Sequence, residues 1–220
     1  VKNISGLNDI INKYDIYILD QWGVMHDGYK GYPQAIKCVK KLYKEKKKII
    51  VISNSSKRKK ITIESLNKLG FNSKHFLEVM TSGEMIWQSL KNENNKIIKN
   101  IKKNCFHIFD YSNENGKKFI KGLKKFNYVK EIDKADFILA CTPFPKFDVL
   151  DYLPILKQAL AKKMPFICAN PDYESINKKL NKSIFCMGTI AELYKNLGGK
   201  VFILGKPSIK IYSESVSKIN

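Results

Sequence analysis

Residues Tyr14–Gly28 read YDIYILDQWGVMHDG and contain the first predicted strand of the chain. Its apolar run Tyr14–Leu19 is typical of a buried strand and ends at Asp20. Beyond it, Pro33 opens a segment in which apolar residues recur at helical spacing, and a second apolar run follows at Lys48–Ile52. A strand, a helix and a second strand in this order predict two parallel strands joined by a crossover helix.

The same alternation continues along the chain. Further strands are predicted at Cys105–Phe109, Phe137–Cys141, Pro165–Ala169 and Val201–Leu204. Further helices are predicted at Ile61–Leu69, Val149–Lys162 and Thr189–Leu197, with a last one from about Ser208. The pattern predicts an α/β protein with a mainly parallel sheet covered by helices. Since no Pro/Gly-rich linker occurs, a second domain is expected to be an insertion.

Composition excludes several classes of protein. The 220 residues carry 40 Lys+Arg against 20 Asp+Glu, a formal charge of +20, but Arg58 is the only arginine. Nucleic-acid binders favour arginine for forked contacts to phosphates and bases, so we expect no nucleic-acid partner despite the charge. No apolar run approaches the roughly 18–20 residues of a membrane span. Scattered cysteines without a metal-binding spacing favour buried free thiols, and we expect a soluble, cytoplasmic protein.

Three strand ends carry polar residues that suit a phosphate. Asp20 ends the first strand, Ser53 and Asn54 end the second, and Lys206 follows the last. Ligands of open α/β sheets bind beyond the carboxyl ends of the strands. Hydroxyl, amide and ammonium groups match phosphate oxygens, and the carboxylate could bind Mg²⁺ or attack phosphorus. Each short motif also fits a simple turn, but their order on successive strands favours a site.

These motifs resemble those of a known superfamily. Tyr14–Gly28, Ile50–Ser56 (IVISNSS) and Gly205–Pro207 (GKP) are similar to the first three motifs of the haloacid dehalogenase superfamily. Thr81–Glu84 (TSGE) and Asn170–Asp172 (NPD) resemble its NagD-like branch of small-molecule phosphatases, class IIA. The likeness runs over nearly the whole chain.

The resemblance implies a domain organisation. It predicts a Rossmann-like, parallel-sheet core of residues 1–100 and 183–220, interrupted by an inserted α/β cap domain of the C2 type at residues 104–182. In that family the cap restricts access to the site. Asn170 and Asp172 match a cap loop that selects the substrate, although Asn, Pro and Asp also suit a plain turn after a strand.

The resemblance also implies residue roles. Asp20 matches the nucleophile that forms an aspartyl-phosphate, which water then hydrolyses. Ser53 and Asn54 match residues that hold the phosphate, and Lys206 matches the lysine that neutralises its charge. The Asp20 carboxylate and the backbone carbonyl of Trp22 match Mg²⁺ ligands. The implied activity is a Mg²⁺-dependent phosphatase acting on a small phosphorylated metabolite, with the oligomeric state, a homodimer included, left open.

The chain departs from the family pattern at Trp22. Related phosphatases carry a second aspartate there, which protonates the leaving oxygen. Tryptophan has only an N–H donor and exchanges no proton near neutral pH, so the activity is expected to be weak. His26 and Asp27 lie close enough in sequence to be substitute acids, although an Asp-Gly pair is first a turn signal.

The family's fourth motif, an acidic loop that completes the metal site, does not occur before Asn220. The only other carboxylate that ends a predicted strand, Asp110, falls within the expected cap. The last helix pattern breaks off at Asn220, which favours a truncated sequence over a degenerate family member.

Three other readings compete with the phosphatase. A non-catalytic phospho-ligand-binding or regulatory protein would have lost turnover together with its acid. A haloacid-dehalogenase-type enzyme that hydrolyses carbon–halogen bonds also has an aromatic residue two positions after its nucleophile and needs no metal, but its phosphate motifs differ. A basic nucleic-acid binder predicts steeply salt-dependent binding that is indifferent to Asp20→Asn.

Overall fold

The computed structural model describes residues 3–177 and 182–219, and their contacts divide the chain into two compact units. The first unit comprises the residues up to Ser53, Lys59–Met80 and the residues from Ile209 onward. The second comprises Asn54–Arg58 and Thr81–Ser208. The chain therefore passes between the units four times.

Strands and helices alternate throughout both units. The strands are β1 (Ile16–Asp20), β2 (Lys48–Ser53), β3 (Glu78–Thr81), β4 (Asn104–Ile108), β5 (Asn127–Val129), β6 (Phe137–Ala140), β7 (Phe166–Cys168), β8 (Glu174–Asn177), β9 (Lys182–Phe185) and β10 (Val201–Ile203). The helices are α1 (Pro33–Lys44), α2 (Lys59–Lys68), α3 (Ser82–Asn92), α4 (Lys96–Lys99), α5 (Asn115–Ile120), α6 (Leu153–Ala161), α7 (Met187–Asn196) and α8 (Ile209–Val216). Short 3₁₀ turns occur at Leu7–Asp9, Ser73–His75, Ile132–Lys134 and Val149–Tyr152.

The first unit is built on a three-stranded sheet in the order β1-β2-β3. Strands β1 and β2 are parallel, as the sequence predicts, and Asp20 pairs with Ile52. Four consecutive residues of β2, Ile49–Ile52, are at most 1% exposed, because this central strand is covered on both faces. Val39 and Leu42 of α1 pack into the same core.

The second unit contains a five-stranded sheet in the order β10-β7-β6-β4-β5, in which these neighbours run parallel. Helices α6 and α7 pack on it, and buried Tyr194 of α7 donates its hydroxyl hydrogen to the carbonyl of Met164 at 2.7 Å. Strands β8 and β9 form a separate antiparallel pair. The parallel α/β architecture predicted from sequence is thus confirmed.

One predicted helix is wrong in its extent. Val149–Lys162 was expected to be a single helix, but the structure has a 3₁₀ turn at Val149–Tyr152 followed by α6. The reason is Pro154, which has no N–H to donate and whose ring clashes with the carbonyl four residues earlier. Proline is tolerated in the first turn of a helix, and α6 accordingly begins at Leu153.

The compact units differ from the domains expected from sequence, 1–100 with 183–220 and 104–182. Strand β10 pairs with β7 inside the second unit, whereas residues 183–220 were assigned to the core. A short apolar strand such as Val201–Ile203 carries no signal for the sheet it joins, because register and partner are set by tertiary packing. The domain boundaries stay a prediction.

Four of the five free cysteines are buried, as the sequence indicated. Burial raises the pKa of the Cys168 thiol to about 12. Within the described residues, every helix is too short or too polar to cross a lipid bilayer.

Candidate active site

Asp20 and Ser53 end two adjacent parallel strands of the first unit. The pairing of β1 with β2 places Asp20 beside Ile52, one residue before Ser53. Asp20 is exposed, and its Oδ1 accepts a hydrogen bond from the backbone N–H of Gln21 at 2.7 Å. Ser53 is 4% exposed. The predicted neighbourhood of these two residues is therefore present in the strand geometry.

Asn54 is joined to Lys206 within the second unit. The backbone N–H of Lys206 donates to Asn54 Oδ1 at 2.6 Å, and Asn54 Nδ2 donates to the Lys206 carbonyl at 3.2 Å. Because the Asn54 amide pairs with both the N–H and the carbonyl of Lys206, it fixes the loop after β10 to the loop after β2. Two of the predicted phosphate-binding residues, far apart in sequence, are thus in contact.

Asp172 reaches the same amide group. Asn54 Nδ2 also donates to Asp172 Oδ1 at 2.7 Å. Asn54 itself is 8% exposed. The loop of Asp172 is shaped by Asn170, whose Oδ1 accepts from the Asp172 N–H at 3.2 Å. Asn170 therefore closes a turn, and Asp172 lies beside Asn54 rather than apart from the phosphate motifs.

Gly205 is glycine because of this convergence. A Cβ atom there would lie 2.5 Å from Asn54 Oδ1 and 2.5 Å from Pro171 Cγ. Such distances are far inside van der Waals contact, so a side chain would push the two loops apart. The glycine of the Gly-Lys-Pro motif is thus required by the close packing of these loops and not by its turn alone.

The loop Asn54–Arg58 is held by the start of α3. The N–H of Gly83 donates to the Ser55 carbonyl at 3.0 Å, and the Thr81 hydroxyl donates to the Lys57 carbonyl at 2.6 Å. Thr81 Oγ1 also accepts from the Glu84 N–H at 2.9 Å, which caps the helix. Burial lowers the pKa of the Lys57 ammonium.

Arg58 completes this anchorage, a role that sequence reasoning missed. Its guanidinium donates to both oxygens of Glu84, at 2.7 and 3.2 Å, and lies 3.5 Å above the Trp87 ring. The available signal in the sequence was the use of a single arginine among so many lysines. A planar, forked guanidinium is required where one side chain must both pair with a carboxylate and stack on an aromatic ring.

Trp22 occupies the place of the expected acid and is 45% exposed. Its indole lies over Gly28, where a Cβ would be 2.5 Å from the ring, and it meets the His26 ring edge-to-face at a centroid distance of 5.7 Å. Gly28 has a φ of 92°, which glycine adopts without strain. The Trp22 side chain is therefore packed into a folded loop of its own unit.

His26 and Asp27, the predicted substitute acids, both shape that loop. His26 Nδ1 accepts from the Gly28 N–H at 3.0 Å, and Asp27 Oδ1 accepts from the N–H groups of Tyr29 and Lys30 at 3.0 and 2.9 Å. They are 3% and 7% exposed. Both side chains therefore hold the backbone of this loop. Their role as acids stays a prediction.

The chemistry of the candidate metal ligands fits Mg²⁺. The Asp20 carboxylate and the Trp22 carbonyl are hard oxygen donors, the type that Mg²⁺ binds through one or two carboxylates and water. Over residues 3–177 and 182–219, no group of three or more His, Cys, Asp and Glu side chains is arranged to hold a metal ion. The Asp20 carboxylate and the Trp22 carbonyl would thus supply some of the ligands of a bound Mg²⁺.

Comparison with known proteins agrees with these motifs. Residues 17–115 match the family of haloacid dehalogenase-like hydrolases. This segment contains Asp20, Ser53, Asn54 and the Thr81–Glu84 motif. No curated protein matches the chain significantly.

Solved structures share the fold over nearly the full chain. A haloacid dehalogenase-like hydrolase from Brucella suis 1330 is 26% identical with a TM-score of 0.83, over 97% of this chain and 77% of that one. A p-nitrophenyl phosphatase from Archaeoglobus fulgidus is 23% identical with a TM-score of 0.64, over 93% and 74%. A 4-nitrophenylphosphatase from Thermotoga maritima is 18% identical with a TM-score of 0.66, over 96% and 75%.

The family match covers the first two motifs, and the fold is that of haloacid dehalogenase-like hydrolases with a cap domain. The chain is thus similar to haloacid dehalogenase-like hydrolases in the sequence of residues 17–115 and in its fold.

Proposed function

We propose that the protein is a Mg²⁺-dependent phosphatase that hydrolyses a small phosphorylated metabolite through an aspartyl-phosphate. The observation that carries the proposal is the pairing of Asn54 with the main chain of Lys206. It ties the ammonium-bearing loop to the residue that directly follows Ser53. The nitrophenyl phosphatases that share the fold support the same reaction class.

In the proposed reaction an oxygen of the Asp20 carboxylate attacks the phosphorus of the ester. The bond from phosphorus to the ester oxygen breaks, and that oxygen leaves with the electron pair. Water then attacks the phosphorus, the bond to Asp20 breaks, and inorganic phosphate departs with the carboxylate restored. The splitting of one difficult step into two is the advantage of covalent catalysis.

Ser53 and Lys206 have the task of binding the phosphate oxygens, while the Asn54 side chain pairs with the main chain of Lys206. The Lys206 ammonium neutralises the charge that the transferred group carries, and the Ser53 hydroxyl donates a hydrogen bond. Mg²⁺, held by the Asp20 carboxylate and the Trp22 carbonyl, would supply further charge neutralisation.

The departing oxygen needs a proton that Trp22 cannot give. Without a positioned general acid, alkyl phosphates are expected to react slower by a factor on the order of 10²–10⁴. Phenolate is a good leaving group and depends far less on an acid. The substrate is therefore proposed to be an activated or small phosphate ester, met in the cytoplasm, where the free thiols of the chain stay reduced.

The test is hydrolysis of p-nitrophenyl phosphate by the wild-type chain and by Asp20→Asn, with Mg²⁺ and with EDTA. We expect turnover that requires both Asp20 and the metal. A folded wild-type chain that releases no nitrophenolate contradicts the proposal. Turnover that survives EDTA and acts on a haloacid would instead favour carbon–halogen hydrolysis.

The packing of Trp22 over Gly28 favours a second candidate, a phospho-ligand-binding protein without turnover. An indole fixed at the acid position would leave the phosphate-binding groups in place while removing the proton donor. Saturable binding of a sugar phosphate, measured by calorimetry, together with no hydrolysis over hours would establish that candidate and exclude the phosphatase.

A further inference from the structure

The Asn54 side chain has used every hydrogen that it can donate. Its Nδ2 carries two hydrogens, and these go to Asp172 Oδ1 at 2.7 Å and to the Lys206 carbonyl at 3.2 Å. Its Oδ1 accepts from the Lys206 N–H at 2.6 Å. In this geometry the amide group has no donor left for a phosphate oxygen.

The orientation of this amide is fixed by its partners. The Asp172 carboxylate is an acceptor, so the Asn54 atom that faces it is the nitrogen. The Lys206 N–H is a donor, so the atom that faces it is the oxygen. Both requirements are met by one orientation, and the bond to Asp172 is the charge-assisted one, which is the stronger type.

Asp172 is itself held firmly enough to serve as an anchor. The N–H of Gly188, in the first turn of α7, donates to the Asp172 carbonyl at 3.0 Å. A Cβ at Gly188 would lie 2.2 Å from the Pro171 carbonyl oxygen, so this loop is pressed against the helix start. The turn closed by Asn170 adds a further restraint.

We propose that Asp172 is a positioning residue that acts through Asn54, and that Asn54 in turn sets the place of Lys206. Asp172 thus serves the phosphate half of every substrate instead of selecting its organic half. This inference rests on the proposed function, and it gives Asn54 and Asp172 roles different from those that the family resemblance implies.

The two roles predict different kinetics. A residue that contacts the organic half of a substrate changes KM for large esters and leaves p-nitrophenyl phosphate almost unaffected. A residue that positions the phosphate machinery changes kcat/KM for all esters by one common factor. Since a misplaced catalytic group can cost on the order of 10²-fold, we expect a loss of about 10- to 100-fold.

The experiment uses the full chain with Asp172→Ala, Asp172→Asn, Asn54→Ala and the double alanine variant. Asp172→Asn keeps an oxygen acceptor for Asn54 Nδ2 and is the conservative variant. Asp133→Ala, at an exposed aspartate of a 3₁₀ turn, is the matched control. Each variant is assayed with p-nitrophenyl phosphate, glycerol phosphate and a hexose phosphate, and for inhibition by orthovanadate.

We expect Asp172→Ala to lower kcat/KM for the three esters by the same factor and to weaken vanadate inhibition in parallel. Asp172→Asn should restore most of the loss, and the double variant should be no worse than Asn54→Ala alone, because both act in one chain of contacts. Unchanged p-nitrophenyl phosphate hydrolysis in Asp172→Ala, no rescue by asparagine, or multiplying losses in the double variant would overturn the inference.

Failure of the proposed function gives a different result. A wild-type chain without Asp20-dependent turnover refutes the phosphatase, and the positioning role is then read from the affinity for inorganic phosphate in the same variants. Equal affinity in wild type and Asp172→Ala overturns the role, whereas a parallel loss with rescue by asparagine supports it. A wild-type chain that neither hydrolyses nor binds phosphate overturns both.

Discussion

Arg58 and Glu84 form a forked ion pair, with the guanidinium donating at 2.7 and 3.2 Å to the two carboxylate oxygens. The pair joins the end of the Asn54–Arg58 loop to the first turn of α3. Their side chains are 19% and 8% exposed, so water screens the pair weakly. The only arginine of the chain is thus placed where it anchors the loop that begins with Asn54.

Replacing Arg58 by alanine should destabilise the protein. The Glu84 carboxylate would stay mostly buried without its guanidinium, although Gln88 Nε2 still donates to its Oε1 at 3.2 Å, and the loss costs about 2 kcal/mol of the free energy of unfolding. Arg58→Lys should recover only part of the loss, because an ammonium cannot reproduce the fork or the stacking on Trp87. Urea unfolding curves measure both effects.

The matched control for Arg58→Ala is Lys118→Ala, at an exposed lysine of α5. It removes one positive charge without breaking an ion pair, and we expect less than about 0.5 kcal/mol of change. Equal urea midpoints for Arg58→Ala and Lys118→Ala would contradict the anchoring role of Arg58.

Gly205→Ala should reduce activity strongly. The added Cβ would lie 2.5 Å from Asn54 Oδ1 and must displace that side chain from the Lys206 N–H. We expect kcat/KM for p-nitrophenyl phosphate to fall on the order of 10²-fold. Gly6→Ala is the control, because a Cβ at Gly6 meets nothing within 4 Å. Equal rates for the two variants would show that the Asn54 contact is dispensable.

Trp22→Asp should raise the rate on alkyl phosphates. A carboxyl group at this position can protonate the leaving oxygen, an effect on the order of 10²-fold or more. The gain on p-nitrophenyl phosphate should be small, because phenolate leaves without help. Trp22→Phe keeps an aromatic ring and adds no acid, so its rates should stay near wild type. A Trp22→Asp variant that is no faster on glycerol phosphate refutes the missing-acid account.

Stability should fall as the pH drops below the ordinary His pKa, because of His107. This side chain is 8% exposed and stacks on Phe109 at a centroid distance of 4.5 Å, and burial lowers its pKa from 6.5 to about 3. Between pH 6.5 and about pH 3, His107 is protonated in the unfolded chain but stays neutral in the folded chain. Unfolding is therefore favoured by up to about 1.4 kcal/mol for each pH unit below 6.5, and this contribution to stability is fully present above it.

The measurement compares urea unfolding of wild type and His107→Leu at pH 7.5 and pH 5.0, two conditions on either side of about 6.5. Wild type should lose more stability than the variant over this interval, by about 1–2 kcal/mol. Parallel losses in both proteins would show that His107 does not carry the pH dependence.

Local pattern predicted the strands that lead to the candidate site. The four apolar residues before Ser53, Ile49–Ile52, are all buried, so an uninterrupted apolar run correctly indicated a central strand covered on both faces. Strand β3 was missed because it begins with Glu78, a charged residue that is 4% exposed. The structure pairs its carboxylate with the Lys59 ammonium, a compensation that no local pattern reveals.

The link between Asn54 and Lys206 lay beyond local pattern for a different reason. The two residues are 152 positions apart, and Lys206 follows β10, a strand whose pairing with β7 is set by tertiary packing. Strand ends could be predicted to carry ligand-binding groups, but not which hydrogen bonds those groups would make with one another. Asp172 illustrates the limit, because its motif indicated a cap loop and its contact is with Asn54.

Borohydride trapping of the aspartyl-phosphate tests whether Asp20 is the nucleophile. Borohydride reduces an acyl phosphate to a primary alcohol, so the chain is quenched during turnover of p-nitrophenyl phosphate with Mg²⁺ and digested with trypsin. The peptide Tyr14–Lys30 contains Asp15, Asp20 and Asp27, which fragmentation in the mass spectrometer separates. We predict the alcohol at Asp20 alone, and its appearance at another carboxylate with Asp20 intact would contradict the account.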